Sequence, residues 1–223
     1  MNLIIFGATG MVGQGVLREC LLDDDVNKVV AVGRSPLGTQ NPKLKEVIHE
    51  DLFDLSAIEP ELTGLDACAF CLGVSAVGMS EQDYRRITYD LTLSVANTLV
   101  RLNPGMTFIY VSGANTNSAG RMMWARVKGE TENALIKLPF RSAYMFRPGY
   151  IQPLHGIRTK TAWYGAFYAV MGPIYPLLKM IAPKYLTTTE QLGRAMIIAV
   201  KQGAPKAILE SADIDGLSRS GAG

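Results

Sequence analysis

An apolar run, Leu3-Ile4-Ile5-Phe6, stops at Gly7 and leads through Gly7-Ala8-Thr9-Gly10-Met11-Val12-Gly13 into a stretch of helical spacing that reaches Leu22. A short β-rich run, a turn with glycines three apart and a helix strongly constrain what the chain can become. The first glycine permits a sharp turn, and the second lets main chain approach a bound group closely. The third lets the helix lie hard against the strand. The open N–H groups and positive dipole at a helix start suit an anion. This is the setting of a dinucleotide pyrophosphate site, with Gly7, Thr9, Gly10, Met11, Val12 and Gly13 as its expected lining.

The alternation continues. Strand-like runs at 3–6, 28–32, 46–49, 67–72, 107–111 and 143–146 are separated by helical patterns at 11–22, 83–102 and 124–138. Several of these runs are apolar at nearly every position, as strands covered on both faces are. The expectation is an α/β fold, a doubly wound and mostly parallel Rossmann-type sheet with right-handed crossovers. No repeat or linker interrupts 1–223, so one domain is expected, with 150–186 a small apolar segment covering a substrate pocket. Thr187-Thr188-Thr189-Glu190 opens a last helix, Ala207-Ile208-Leu209 reads as a short strand, and a polar, frayed tail is expected from Ser218.

Composition removes several function classes. Lys and Arg total 22 against 20 Asp and Glu, a formal net charge of +2, and the basic residues are scattered, so nucleic acid is not an expected partner. Three cysteines, Cys20, Cys68 and Cys71, are too few for a disulfide framework and fit a reducing compartment. Cys68 and Cys71 have CxxC spacing, but residues three apart in a strand face opposite sides. With His49 and His155 the only histidines, no metal site is expected. The N-terminal run has neither a basic leader nor a cleavage pattern, which gives a cytoplasmic expectation.

Cofactor choice is read at the end of the second strand, where an acid suits the ribose hydroxyls of NAD and a cation suits the 2′-phosphate of NADP. The chain has Val32-Gly33-Arg34-Ser35 there, with no acid, so NADP is expected over NAD, held by Arg34 and Ser35.

Taken in order, Gly7-x-x-Gly10-x-x-Gly13, Cys71-Leu72-Gly73, Val127-Lys128-Gly129-Glu130 and Phe146-Arg147-Pro148-Gly149 resemble the short-chain dehydrogenase/reductase superfamily. Within it they resemble the extended or atypical branch, related to NAD-dependent epimerases and dehydratases, and most closely the Tat-interacting-protein type. The resemblance runs to about Gly149 and continues more loosely through the last helix. It implies that Asp51 and Leu52 face the adenine and that Cys71, Leu72 and Gly73 line the cofactor. It also implies that Ser112 hydrogen-bonds a substrate carbonyl, Lys128 holds the nicotinamide ribose, and Pro148 and Gly149 flank the nicotinamide. The family's acid, a tyrosine four residues before the lysine, is here Trp124. An indole N–H donates a hydrogen bond but is no usable acid. Tyr84, Tyr89 and Tyr150 are candidate substitutes, and nothing in the sequence selects among them. Tyr175 and Lys179 repeat the YxxxK spacing beyond the family's position, where Pro176 would disturb a helix.

Residues 161–178 contain no charge across 18 positions, close to the length of a membrane span, yet Gly165, Gly172, Pro173 and Pro176 interrupt them. A pocket lining for a small, largely apolar ligand is the primary reading, with a homodimer or partner surface and an interfacial membrane contact as alternatives. Three functions therefore stand: an NADP(H)-dependent oxidoreductase or epimerase-like enzyme, a catalytically silent NADP(H)-binding regulator or scaffold, and a peripheral membrane module using 163–181.

Overall fold

The computed structural model describes residues 1–157 and 185–220. Chain order runs β1 (Asn2–Phe6), α1 (Met11–Leu22), β2 (Lys28–Gly33), β3 (Leu44–Ile48), a 3-10 turn (Ser56–Leu62), β4 (Ala67–Phe70) and α2 (Glu81–Arg85). A π turn (Arg86–Asp90) then leads to α3 (Leu91–Leu102), β5 (Thr107–Val111), α4 (Met123–Ile136), β6 (Ser142–Arg147) and β7 (Tyr150–Gln152). After residues 158–184 come β8 (Leu186–Thr188), α5 (Thr189–Gln202), β9 (Ile208–Glu210) and α6 (Ser211–Ser220).

Seven strands form one sheet in the order β3-β2-β1-β4-β5-β6-β9, every described pair parallel. Strand alternation sends residues into two cores. Leu3, Ile5, Val29, Ala31 and Ile109 pack with Val16, Cys20, Leu192, Met196 and Ile214 from α1, α5 and α6. Ile4, Phe6, Val30, Val32, Phe70 and Phe108 pack with Leu62, Val95, Leu99 and Leu135 on the other face. Covering both faces explains the continuous apolar runs. On the second face the rings of Phe6, Phe70 and Phe108 follow one another at 5.8 and 6.0 Å. Cys68 belongs to one core and Cys71 packs against the other, so the CxxC spacing brings no pair together.

The chain leaves β1 toward β2 and β3, then crosses to β4 on its other side, which opens a crevice at the carboxyl ends of β1 and β4. Beside it, β7 and β8 pair in parallel, a two-stranded element too short for periodicity to register. Gly149 allows it, since a Cβ there would lie 2.4 Å from the Tyr185 carbonyl oxygen.

Three local expectations differ. The single helix expected over 83–102 begins at Glu81 and carries the π turn, an inserted residue that leaves the apolar spacing nearly unchanged. The expected frayed tail is helical to Ser220, because Ile214 and Ser218 are buried against the body. The 67–72 run stops as a strand at Phe70, although the Cys71 amide still bonds the Phe6 carbonyl.

Two glycines in helices test the packing. A Cβ on Gly13 would sit 2.1 Å from the Gly7 carbonyl oxygen, and the clash is with backbone. Gly13→Ala should therefore cost about 1–3 kcal/mol in urea unfolding. The Gly216 position is open, so Gly216→Ala should gain up to about 1 kcal/mol.

Candidate functional site

The turn after β1 has a defined shape. Gly7 has φ +85°, its carbonyl accepts from the Gly10 amide at 2.9 Å, and a Cβ on it would meet the Cys71–Leu72 backbone within 2.9 Å. Gly10 is the extended N-cap of α1, with no side-chain cap and no acid in the first turn. The first-turn amides and the dipole of a 12-residue helix thus face the crevice with no side chain of the helix competing for them. This cradle fits a diphosphate.

Two cavities extend from it. The smaller, of about 210 Å³, is lined by Gly7, Thr9, Gly33, Arg34, Ser35, Glu46, Leu52 and Leu72 among others. The larger, of about 830 Å³, brings together Gly7, Thr9, Gly10, Met11, Val12, Cys71, Leu72, Gly73, Ser112, Trp124, Lys128, Pro148, Gly149 and Tyr150. Gly7, Thr9 and Leu72 line both, so these are two lobes of one crevice with the cradle between them.

Most of the expected site residues therefore converge, with two exceptions. Gly13 lines neither lobe; it serves the helix–turn approach. Asp51 also lines neither lobe, and its carboxylate accepts from the Phe53 amide at 2.9 Å, closing its own turn. Leu52 alone of that pair reaches the cavity. Glu46 is a lining residue that sequence reasoning missed; its carboxylate accepts from the Leu37 amide at 2.8 Å and so holds the loop that carries Arg34. Alternation along a β-rich run, with Glu46 between Lys45 and Val47, was the available signal.

The chemistry end of the large lobe is built on a buried charge network. Ser112 is buried, and its hydroxyl donates to a carboxylate oxygen of Glu132, itself 1% exposed. Arg147 closes on the same carboxylate, with Nε at 3.0 and 3.2 Å from its two oxygens and an Nη donating as well. A further Arg147 nitrogen lies 3.3 Å from Glu210. Sequence reasoning did not single out Glu132, because a glutamate on a helix reads as a solvated residue. The hydroxyl that the resemblance gave to substrate is thus engaged with a carboxylate behind the cavity wall.

Lys128 lies one helical turn beyond Trp124, and both line the lobe. Its ammonium donates to the Ser112 backbone carbonyl. Burial brings its pKa down to about 8, with the negative charge of Glu132 opposing the fall. Of the three alternative phenols, Tyr84 is sealed at 1% exposure and Tyr89 lies under the Arg85 guanidinium at 4.4 Å. Tyr150 alone of these lines the lobe, its hydroxyl donating to Gln152 at 2.8 Å. Burial pushes the Cys71 thiol up to about 12, which makes it a poor nucleophile. Among the described residues no group of His, Cys, Asp and Glu could hold a metal ion, and no helix is long and apolar enough to cross a membrane. Tyr175, Lys179 and the apolar stretch 161–178 lie outside the described residues.

No family model matches the chain. It is 27% identical over 150 residues to protein HTATIP2 of Rattus norvegicus, covering 66% of this chain and 62% of that protein. It is 29% identical over 164 residues to protein FMP52, mitochondrial, of Saccharomyces cerevisiae, covering 72% of this chain and 69% of the relative. The rat protein is thus matched over less than two thirds of its length. Among solved structures, the dTDP-glucose 4,6-dehydratase DesIV of Streptomyces venezuelae, with NAD bound, superposes at a TM-score of 0.64 with 14% identity, covering 99% of this chain and 80% of that one. The FMP52 relatives correct the cytoplasmic expectation, since those of several yeasts are named mitochondrial. A missing secretory pattern speaks only to secretion and does not choose among compartments inside the cell.

Glu132 supplies a stability test. Glu132→Leu would remove the main partner of the Arg147 guanidinium and one of the two acceptors of the Ser112 hydroxyl. The expected cost in urea unfolding is about 3–5 kcal/mol, toward the lower end because Arg147 keeps Glu210 and the Ser112 hydroxyl keeps the Phe146 carbonyl at 3.2 Å.

Proposed function

Because the chain belongs to the atypical branch of the short-chain dehydrogenase/reductase superfamily, we propose that it binds NADP(H) and acts as an oxidoreductase on a small, largely apolar carbonyl or hydroxyl substrate. The observation that carries this reading is the two-lobed crevice, with the glycine cradle at its waist, Arg34 at one end and Lys128 with Pro148-Gly149 at the other. The cradle would take the pyrophosphate and the small lobe the adenosine. Arg34 is exposed and makes no ion pair among the described residues, so its guanidinium is open to a 2′-phosphate, with the Ser35 hydroxyl beside it. In the large lobe Lys128 would hold the nicotinamide ribose. When bound, the nicotinamide supplies or takes up a hydride.

An apolar substrate is supported by the lobe's own walls. Val74, Val111, Trp124 and Ile151 line it, and Val77 and Met122, nearby in sequence, are 79% and 55% exposed. A second reading, a catalytically silent NADP(H)-dependent regulator, draws on Trp124 in the position of the family's acid and on the engagement of the Ser112 hydroxyl with Glu132. NADPH consumption by the purified protein with carbonyl substrates separates the two readings.

Calorimetric titration tests the cofactor. NADPH should bind more tightly than NADH, and Arg34→Ala should weaken NADPH by roughly tenfold to a hundredfold, since a charge-assisted bond contributes about 1.5–3 kcal/mol. NADH affinity should stay near native. Equal losses for both nucleotides would assign Arg34 to the loop's structure and remove the argument for NADP.

A further inference from the structure

We propose, resting on the oxidoreductase reading above, that the side-chain amine of Lys128 itself gives the proton to a carbonyl substrate, the task that Trp124 cannot perform.

The geometry excludes the neighbouring donors first. Trp124 and Lys128 lie on one face of α4, and the indole offers a hydrogen bond without a transferable proton. The Ser112 hydroxyl is directed at Glu132. The next residue along the wall is Gly113, which puts no side chain beside Lys128 Nζ (an added Cβ would be 4.0 Å from it), and both residues line the lobe. Among the described residues Nζ has one hydrogen bond, to the Ser112 carbonyl. That bond aims the ammonium and leaves two N–H groups for a ligand.

The charges around Lys128 suit proton transfer. Glu132 is one turn further along α4, Arg147 reaches that carboxylate from β6, and Glu210 reaches Arg147 from β9. Burial outweighs the opposing pull of the Glu132 carboxylate and brings the Lys128 pKa to about 8. Lys128 is then an ammonium at neutral pH that can release its proton, near the optimum for a general acid. In the reductive direction a reduced nicotinamide held beside Lys128, Pro148 and Gly149 would supply the hydride for the carbonyl carbon. The C=O π pair moves onto oxygen, and that oxygen takes a proton from Nζ. The products are an alcohol, an oxidised nicotinamide and a neutral amine, which regains its proton from water. In the oxidative direction the neutral amine accepts the alcohol proton.

The test uses the full chain, with NADPH and benzil, an apolar aromatic diketone, as probe. Competitive acetylation read by peptide mass spectrometry should give Lys128 a reactivity midpoint near pH 8, and NADPH should shield it. Lys128→Arg keeps a cation for the ribose but has no proton to give near neutral pH. Compared at saturating NADPH, so that any weakening at the ribose is removed from the readout, it should lose about 10²–10⁴-fold in benzil reduction. A Lys128 midpoint near the ordinary lysine value of 10.5 would overturn the proposal. So would native turnover in Lys128→Arg, loss of turnover in Tyr150→Phe with Lys128→Arg unaffected, or a native chain that binds NADPH without reducing benzil. In these outcomes the cofactor reading survives, whereas a native chain that fails to bind NADPH sinks that reading and this proposal together.

Discussion

The carboxylate of Glu132 joins more of this molecule than any sequence motif does. It sits on α4, receives the Ser112 hydroxyl from the end of β5 and the Arg147 guanidinium from the end of β6, and through Arg147 reaches Glu210 on β9. Three neighbouring strands are thereby tied at their carboxyl ends to the helix that carries Trp124 and Lys128. A carboxylate taken out of water is tolerated only when its lone pairs are occupied, and here a near-bidentate arginine and a hydroxyl occupy them. The same network places the Ser112 carbonyl where Lys128 meets it.

The other half of the crevice is shaped by exclusion. Gly7 in the left-handed region and Gly13 against the Gly7 carbonyl bring α1 so close to β1 that no side chain fits between them. The helix start is left bare, with no capping side chain and no acid. Sterics thus expose a bare helix start on main chain alone, while the far half is built on side-chain charge.

This division explains what was legible in the sequence. Steric demands write themselves locally: the glycine spacing, the apolar runs of the buried strands and the start of α5 at Thr188, where a reciprocal cap with Gln191 forms, all read correctly within a residue or two. Long-range polar pairing leaves no local mark. Glu132 and Arg147 are 15 residues apart and look like any helix glutamate and strand-end arginine, so the destination of the Ser112 hydroxyl was invisible. Asp51 failed for the opposite reason, since a carboxylate can bond an amide two residues on within its own turn, and here it does. The β7–β8 pair was missed because three residues per strand are too few to show a period.

Trp124 connects the two halves of the argument. A phenol at that position would work by sharing the field of Lys128, and in its absence that field acts on whatever else the lobe contains. The indole lines the same lobe as Nζ, and burial of Nζ there raises the cost of the ammonium and strengthens any hydrogen bond it makes to a ligand. Without Glu132 one turn away the same burial would carry the amine further toward its neutral form. Burial and the nearby carboxylate thus act on the Lys128 proton in opposite directions, and burial is the larger. On the reading proposed above, an indole in place of the family's phenol leaves the acid–base task to the lysine, whose ionisation burial and Glu132 push in opposite directions.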